Sequence, residues 1–316
     1  MAVYIFRRLA FFFGALFAAS VLIFVMIRMA GGNVAAIVLG RDASAAAIEE
    51  LSREYGLDRP WVVQYFDWIG SMLQGDLGQS FRTSESVADL VLTRLPVSVP
   101  LALSGMLLGL LIAIPAGLYA ARNAGRPSGA IIGLFSQIGI AVPVFWAGIL
   151  LSLLFGVKLG WLPTGGWTSW DDSVTGAIRS LVLPVLALGL ILGAVMIRYV
   201  RSAVLDVMNQ DYVRTARAVG MTRTQALLRV GLRNAALPII TVIGLLMAEL
   251  IGGTVIIETV FSLPGLARLI LSNVAAREVI VVQSTVMLII VFVIFVNLVV
   301  DLLYGLLDPR TRGPAK

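Results

Sequence analysis

Apolar residues in this chain run in long blocks rather than in short alternations. Charge-free runs cover 9–27, 97–121, 130–155 and 181–197; another covers 279–303 and is free of charge up to Val300. A sixth block, 237–257, holds one acid, Glu249. A hydrocarbon layer about 30 Å thick needs roughly 20 residues of helix to cross it, so the pattern predicts six membrane-spanning helices in an all-α chain. Any single run could instead be a buried core helix or a signal peptide, and Arg7-Arg8 does precede the first. Signal h-regions are only about 7–15 residues long, however, and no convincing cleavage site follows. The first block reads as an uncleaved anchor.

Two longer connections separate these blocks, over 29–95 and 198–236. In the first, Ser44 is placed to cap a helix running to Tyr55, with Ile48, Leu51 and Tyr55 on one face and Gly56 closing it. Pro60 suits the first position of a second helix. On that helix Trp61, Tyr65, Trp68, Ile69 and Met72 form an apolar stripe, fit either for packing or for the membrane interface. The second connection reads as helix, sharp turn, helix. Asn209 is predicted as its N-cap, Asp211 lies in the first turn, and Gly220 ends the helix. Thr222 with Gln225 forms a capping-box pattern that opens the next helix. That helix spaces Leu228 with Leu232 and Arg229 with Arg233 four apart, and Pro238 marks entry to the fifth block. Small residues Ala216, Ala218 and Gly220 would let another protein come close to this backbone; arginines meeting anionic headgroups are the alternative. Pro115 and Pro143 interrupt the second and third blocks, where freed backbone groups need protein or a wet cavity around them.

Composition sharpens the picture. The chain is 59% hydrophobic and 13% charged, against roughly half apolar and a quarter charged in soluble domains, which places it in the membrane class. Its net charge of +6 is carried almost wholly by arginine, and no soluble domain offers the basic face that nucleic-acid binding needs. Cysteine and histidine are absent, which removes disulfides, thiolate chemistry, His acid–base catalysis and the commonest metal ligands. Lysine occurs only at Lys158 and Lys316, neither within a Gly-x4-Gly-Lys-Ser/Thr phosphate loop. Composition argues against an enzyme, and against ATP hydrolysis by this chain. Basic residues cluster in alternate connections: Arg7, Arg8, Arg122, Arg126, Arg198, Arg201, Arg214, Arg217, Arg223, Arg229 and Arg233 fall on one side, with Arg310, Arg312 and Lys316. The other side is richer in acids, including Asp42, Glu49, Glu50, Asp58, Asp67 and Asp76. The positive-inside rule then puts both termini and the 198–236 loop in the cytoplasm, and the 29–95 loop outside.

The stretch Asp211-Tyr212-Val213-Arg214-Thr215-Ala216-Arg217-Ala218-Val219-Gly220, followed by Leu237-Pro238, resembles the cytoplasmic "EAA" loop of ABC-importer permeases, in the form found in the dipeptide/oligopeptide branch. Further similarities run end to end. They include Gly56-Leu57-Asp58-Arg59-Pro60, Gly75-Asp76-Leu77-Gly78, Phe145-Trp146, Gly160-Trp161-Leu162-Pro163, Glu258-Thr259-Val260-Phe261-Ser262 and Leu307-Asp308-Pro309-Arg310. Arg214-Thr215-Ala216 stands where the motif is named Glu-Ala-Ala, and Val219 where a basic residue often precedes the glycine. The resemblance implies the type I ABC importer (MetI-like) permease fold in a bacterial or archaeal cytoplasmic membrane. It also implies that Asp211, Arg214, Thr215, Ala216, Arg217, Gly220, Thr222 and Gln225 belong to a coupling helix held by an ATPase subunit. The implied partners are a second related permease chain, two ABC ATPases and an extracytoplasmic solute-binding protein. ATP and magnesium would sit on the ATPases, with no cofactor on this chain. The acidic outer loop, with Asp58, Arg59, Trp61 and Asp76, offers a landing surface for the solute-binding protein.

The expected function is translocation of di- or oligopeptides; nickel, glutathione and sugars are the alternatives within the resemblance. An ion-coupled secondary carrier is the rival from another class, yet it would need several buried ionisable groups near mid-membrane, where only Glu249 qualifies. Intramembrane acids usually face a cavity or a partner. Glu249 therefore reads as pore-lining, alongside Pro143, or as a structural acid at a helix contact beside Gly252-Gly253.

Overall fold

The long apolar blocks form long helices. In the computed structural model, residues 2–31, 36, 39, 44–54 and 56–307 are described, and among them the regular structure is helical. Helix α1 covers Ala2–Gly31, α2 Ala45–Glu54, α3 Trp61–Leu73, α4 Val87–Leu92, α5 Leu95–Arg122, α6 Pro127–Ala141 and α7 Val144–Leu151. Helix α8 covers Val174–Met208, α9 Asp211–Ala218, α10 Arg223–Ala226, α11 Leu232–Val260, α12 Leu266–Ala275 and α13 Val279–Leu307. Four helical segments are long and apolar enough to cross a bilayer: Tyr4–Met29, Val87–Arg122 (α4 running on into α5), Val174–Met208 and Val279–Leu302. Two more candidates are bent pairs, Pro127–Ala141 with Val144–Lys158 and Arg223–Gly231 with Asn234–Met247, giving six if each pair counts once.

The third block is where the structure departs most from the sequence reading. The run over 130–155 is not one kinked helix but two, meeting at 98°. Val142 (φ −83°, ψ 120°) and Pro143 (φ −63°, ψ 140°) are both extended. A residue before proline is pushed out of the helical region by the ring's Cδ, so two consecutive residues leave the helix and the chain turns. Pro100, Pro115, Pro184 and Pro238 lie inside helices that continue past them. Helix α7 then passes into a π-helical turn, Ser152–Lys158.

Chain contacts divide the protein into two units, one built around 97–264 and the other around 9–31, 44–96 and 265–295. In the first, α5 and α8 pack through glycine notches. A Cβ added at Gly105 would stand 3.1 Å from Leu188 Cβ, at Gly109 3.1 Å from Leu192 Cβ, and at Gly117 2.7 Å from Val200 Cβ. From the other side, Gly189 receives Leu108 and Gly193 receives Ile112. Lipid gives helices no hydrophobic reason to associate, so close backbone approach and dispersion carry the contact. The buried cluster beside this seam runs from Ala113 and Leu192 through Val200, Val204 and Val207 to Val213, Ala216, Ala226 and Leu227. A single packed column thus joins the apolar seam to the base of α9.

In the second unit, Tyr65 and Trp68 of α3 lie against α1. The Ser20 and Tyr65 hydroxyls are 2.8 Å apart, and Phe24 stacks on Trp68 at 6.2 Å. The α3 stripe is therefore split: Tyr65, Trp68, Ile69 and Met72 turn inward, whereas Trp61, Val62 and Phe66 are exposed. Ser44 Oγ accepts the Ala47 N–H at 3.2 Å, and Gly56 adopts φ +62° after α2. Pro60 is one residue earlier than the sequence suggests, standing as the N-cap of α3. The loop from Gly78 to Ser86 is pinned to the start of α13: the buried Glu278 carboxylate accepts the N–H groups of Phe81 (3.0 Å) and Arg82 (2.7 Å), and Ser284 Oγ donates to the Leu77 carbonyl at 2.8 Å.

Candidate coupling elbow

Helix α8 runs well past the end of its apolar block and stops at Met208, so residues 198–208 are helical rather than part of a loop. Asn209 is the C-cap of α8, and Gln210, in extended conformation, precedes α9 without a side-chain cap. The N-cap expected at Asn209 is thus displaced by one residue, because Asn209 serves the helix before rather than the helix after. Asp211 is the first residue of α9, where its charge faces the helix's positive end.

The two faces of α9 differ sharply. Val213 and Ala216 are buried, at 0% and 8% exposure, against the core column. Asp211, Tyr212, Arg214, Thr215, Arg217, Ala218 and Val219 are exposed, Val219 at 74%. Ala216 is small where it faces the protein's own core. Gly220 has a different reason: its φ is +99°, and a Cβ there would meet nothing within 4 Å. Backbone geometry, not crowding, demands glycine at the turn.

After the turn, Thr222 Oγ1 accepts the Gln225 N–H at 3.3 Å while Gln225 Oε1 accepts the Thr222 N–H at 3.0 Å, the reciprocal capping box read from the sequence. Such a cap is worth about 1 kcal/mol. The Arg214–Asp211 pair, 3.4 Å apart with both side chains largely exposed, contributes little by comparison. The elbow is held by its cap, its glycine and its buried Val213 and Ala216. Helix α10 continues through a π-helical turn, Leu227–Gly231, into α11; Gly231 lies close to Val207, where a Cβ would be 3.1 Å from Val207 Cγ1. Leu228 is exposed and Leu227 buried, so the inward face is one residue earlier than the Leu228–Leu232 spacing implies.

The family model described as "Binding-protein-dependent transport system inner membrane component" matches residues 113–313, which include this elbow. A companion model for the N-terminal part of such membrane components matches residues 1–102. The chain belongs to this family of inner-membrane transport components. Among its relatives, the oligopeptide transport system permease protein AppB of Bacillus subtilis is 39% identical, with 98% of this chain and 99% of that protein covered. A putative peptide transport system permease of Brucella abortus is 37% identical over 99% of each chain, and the glutathione transport system permease GsiC of Escherichia coli K12 is 37% identical over 98% of each. The membrane subunit fold is shared with a solved structure of the MetNI methionine ABC transporter in inward-facing conformations. That likeness has a TM-score of 0.58 at 15% identity, covering 69% of this chain and 96% of the other. The protein is thus a multi-pass component of the bacterial cytoplasmic membrane with the MetI-type permease fold.

The remaining sequence-derived residues of this permease fall in separate places. Glu249 is exposed on α11 in a stripe with Pro238, Thr241, Leu245, Gly252, Ile256 and Thr259, spaced three and four apart. It is not a buried acid at a helix contact within this chain. Pro143 is exposed at the 98° break. Arg59 Nη1 pairs with Asp67 Oδ2 at 3.2 Å, Asp76 Oδ1 accepts the Gly78 N–H at 2.9 Å, and Asp58 and Trp61 are exposed. No cluster of His, Cys, Asp or Glu able to hold a metal occurs among the described residues. Sequence reasoning missed Glu258, whose carboxyl is fully buried and accepts the Ser98 hydroxyl at 2.5 Å. The signal was present: it stands one residue beyond the apolar block, too close to the end to be read as solvent-facing.

Proposed function

We propose that this chain is a pore-forming subunit of an ATP-driven importer that carries di- or oligopeptides across the cytoplasmic membrane, with both termini and the elbow on the cytoplasmic side. The observation that carries this reading is its near-full-length relationship, at 37–39% identity, to peptide-system permeases. In this reading ATP and magnesium are held by two partner ATPase subunits, and this chain hydrolyses nothing. The exposed face of α9, with Asp211, Arg214, Thr215 and Arg217, meets the ATPase; Ala216 anchors that face from beneath, and Gly220, Thr222 and Gln225 set its angle. A second, related permease chain completes the pore as a heterodimer, and a solute-binding protein delivers cargo at the outer surface near Asp58, Arg59, Trp61 and Asp76. The GsiC relatives favour glutathione, itself a small peptide, as the second reading.

The test is purification of the tagged chain with its neighbours, followed by proteoliposome uptake of labelled peptide. Co-purifying ATPase chains and ATP-dependent uptake are expected. Uptake without ATPase subunits would reject the importer reading, and uptake of glutathione but not of dipeptides or oligopeptides would select the second cargo.

The exposed stripe of α11 supports a pore-facing position for Glu249, since an acid at that depth is costly against lipid. In this reading Pro143, exposed at its break, lines the same path. Glu249→Gln is expected to slow peptide uptake about fivefold, the worth of a hydrogen bond near 1 kcal/mol, without reducing assembly. Undiminished uptake would remove Glu249 from the path.

A further inference from the structure

A half-open cavity of about 350 Å³ lies in the second unit between α1, α3, the 76–81 loop and the start of α13. It is at the low end of ligand pockets, which span about 300–1,000 Å³, and has room for roughly ten waters at about 30 Å³ each. Six buried side-chain polar atoms lack a hydrogen-bond partner among the described residues, and three of them belong to residues lining this cavity: Arg28 Nε, Trp68 Nε1 and Gln64 Oε1. Gln64 is 7% exposed, and its Nε2 is already spent on the Leu57 and Arg59 carbonyls. Its oxygen is therefore a fixed, unfilled acceptor on a lining that also carries two unfilled donors. A buried polar group left unpaired costs about 1–3 kcal/mol, so three at one cavity call for an occupant that both accepts and donates.

Charge narrows the choice. Arg28 has no carboxylate partner among the described residues; its guanidinium lies 5.3 Å from the Phe24 ring centroid. Arg59 is neutralised by Asp67. The Arg28 side thus suits a negative group, while Gln64 Oε1 and the carboxylate of Asp76, also on the lining, suit an amine. The cavity stands where two membrane-length helices end: Arg28 is in the last turn of α1, and Val279 is the first residue of α13. Helix α3, which supplies one wall, turns Val62, Phe66 and Leu73 outward at 63–83% exposure, as an interfacial helix does.

We propose that this cavity binds the zwitterionic headgroup of an aminophospholipid, its phosphate on Arg28 and Trp68 and its ammonium on Gln64. On the orientation proposed above, the lipid belongs to the outer leaflet.

The test is native mass spectrometry of the assembled transporter released from phosphatidylcholine nanodiscs doped with either phosphatidylethanolamine or phosphatidic acid. Phosphatidylethanolamine is expected to be retained about tenfold better, the worth of one charge-assisted hydrogen bond. Arg28→Gln and Trp68→Phe, the latter keeping a ring against Phe24, are each expected to abolish that preference. No retained phosphatidylethanolamine would mean a water-filled cavity and overturn the proposal. Equal retention of phosphatidic acid would overturn it too, as would an unchanged preference in both variants. Displacement by millimolar glycerophosphoethanolamine, which has the headgroup but no tails, would overturn the lipid as the source. The wild-type comparison requires no substitution, so it decides the matter even if a variant fails to assemble.

Discussion

Replacing Gly220 with valine is expected to lower ATP-dependent peptide uptake more than tenfold while leaving the chain inserted in the membrane. The turn holds φ at +99° with open space around the missing Cβ, so the penalty is purely conformational. A β-branched residue held at positive φ costs about 1–3 kcal/mol, which exceeds the roughly 1 kcal/mol supplied by the Thr222–Gln225 cap that follows. The elbow would relax to another shape, and the exposed face of α9 would no longer present Asp211 and Arg214 at the required angle. Gly220→Asn, which tolerates left-handed backbone best among residues with side chains, is expected to keep most activity. Uptake assays on both variants, with ATP turnover recorded in parallel, check this. Wild-type uptake by the valine variant would show that the turn does not couple the chain to its motor.

Glu258→Ala is expected to destabilise the protein by about 3 kcal/mol, from the lost hydrogen bonds and the void left behind. The carboxyl is completely enclosed and takes the Ser98 hydroxyl at 2.5 Å, tying α11 to α5. Around it, Ile257 and Phe261 belong to the same buried cluster as Val97 and Leu101, so no solvent is at hand to heal the defect. Glu258→Gln keeps the shape and an acceptor, and should cost less than half as much. Thermal denaturation of the detergent-solubilised protein separates the two, with a drop of roughly 5–10 °C expected for alanine. Equal melting of wild type and Glu258→Ala would show that the contact contributes nothing.

How much was legible in the sequence differs from one element to the next. The apolar blocks announce the long helices because a segment that must satisfy its own backbone in lipid has few alternatives. The Thr222–Gln225 box and the Gly220 turn were also readable, since their chemistry is local. The 98° break at Val142–Pro143 was not. Pro115 and Pro184 carry the same local signal inside unbroken helices, so whether the chain straightens past a proline is decided by what packs around it. Smallness at Ala216 fits a partner surface and a tight internal contact equally well in one dimension; only the fold shows it buried with Val213 in the core. The cavity beside Gln64 joins residues from positions 24 to 284, a distance that no local pattern spans.

Helix α8 has a mechanical consequence. Its 35 residues make a rod about 52 Å long, which exceeds the 30 Å apolar layer by about 20 Å. A rod pivoting at its middle by 10° sweeps its tip through about 4–5 Å. Val207, at that tip, belongs to the same buried cluster as Val213 and Ala216 of α9, so a push on α9 would be delivered to a lever rather than to a hinge. The glycine notches at 105, 109 and 117 are the bearing on which it would swing, and stiffness there sets how far a displacement of the elbow travels along the rod.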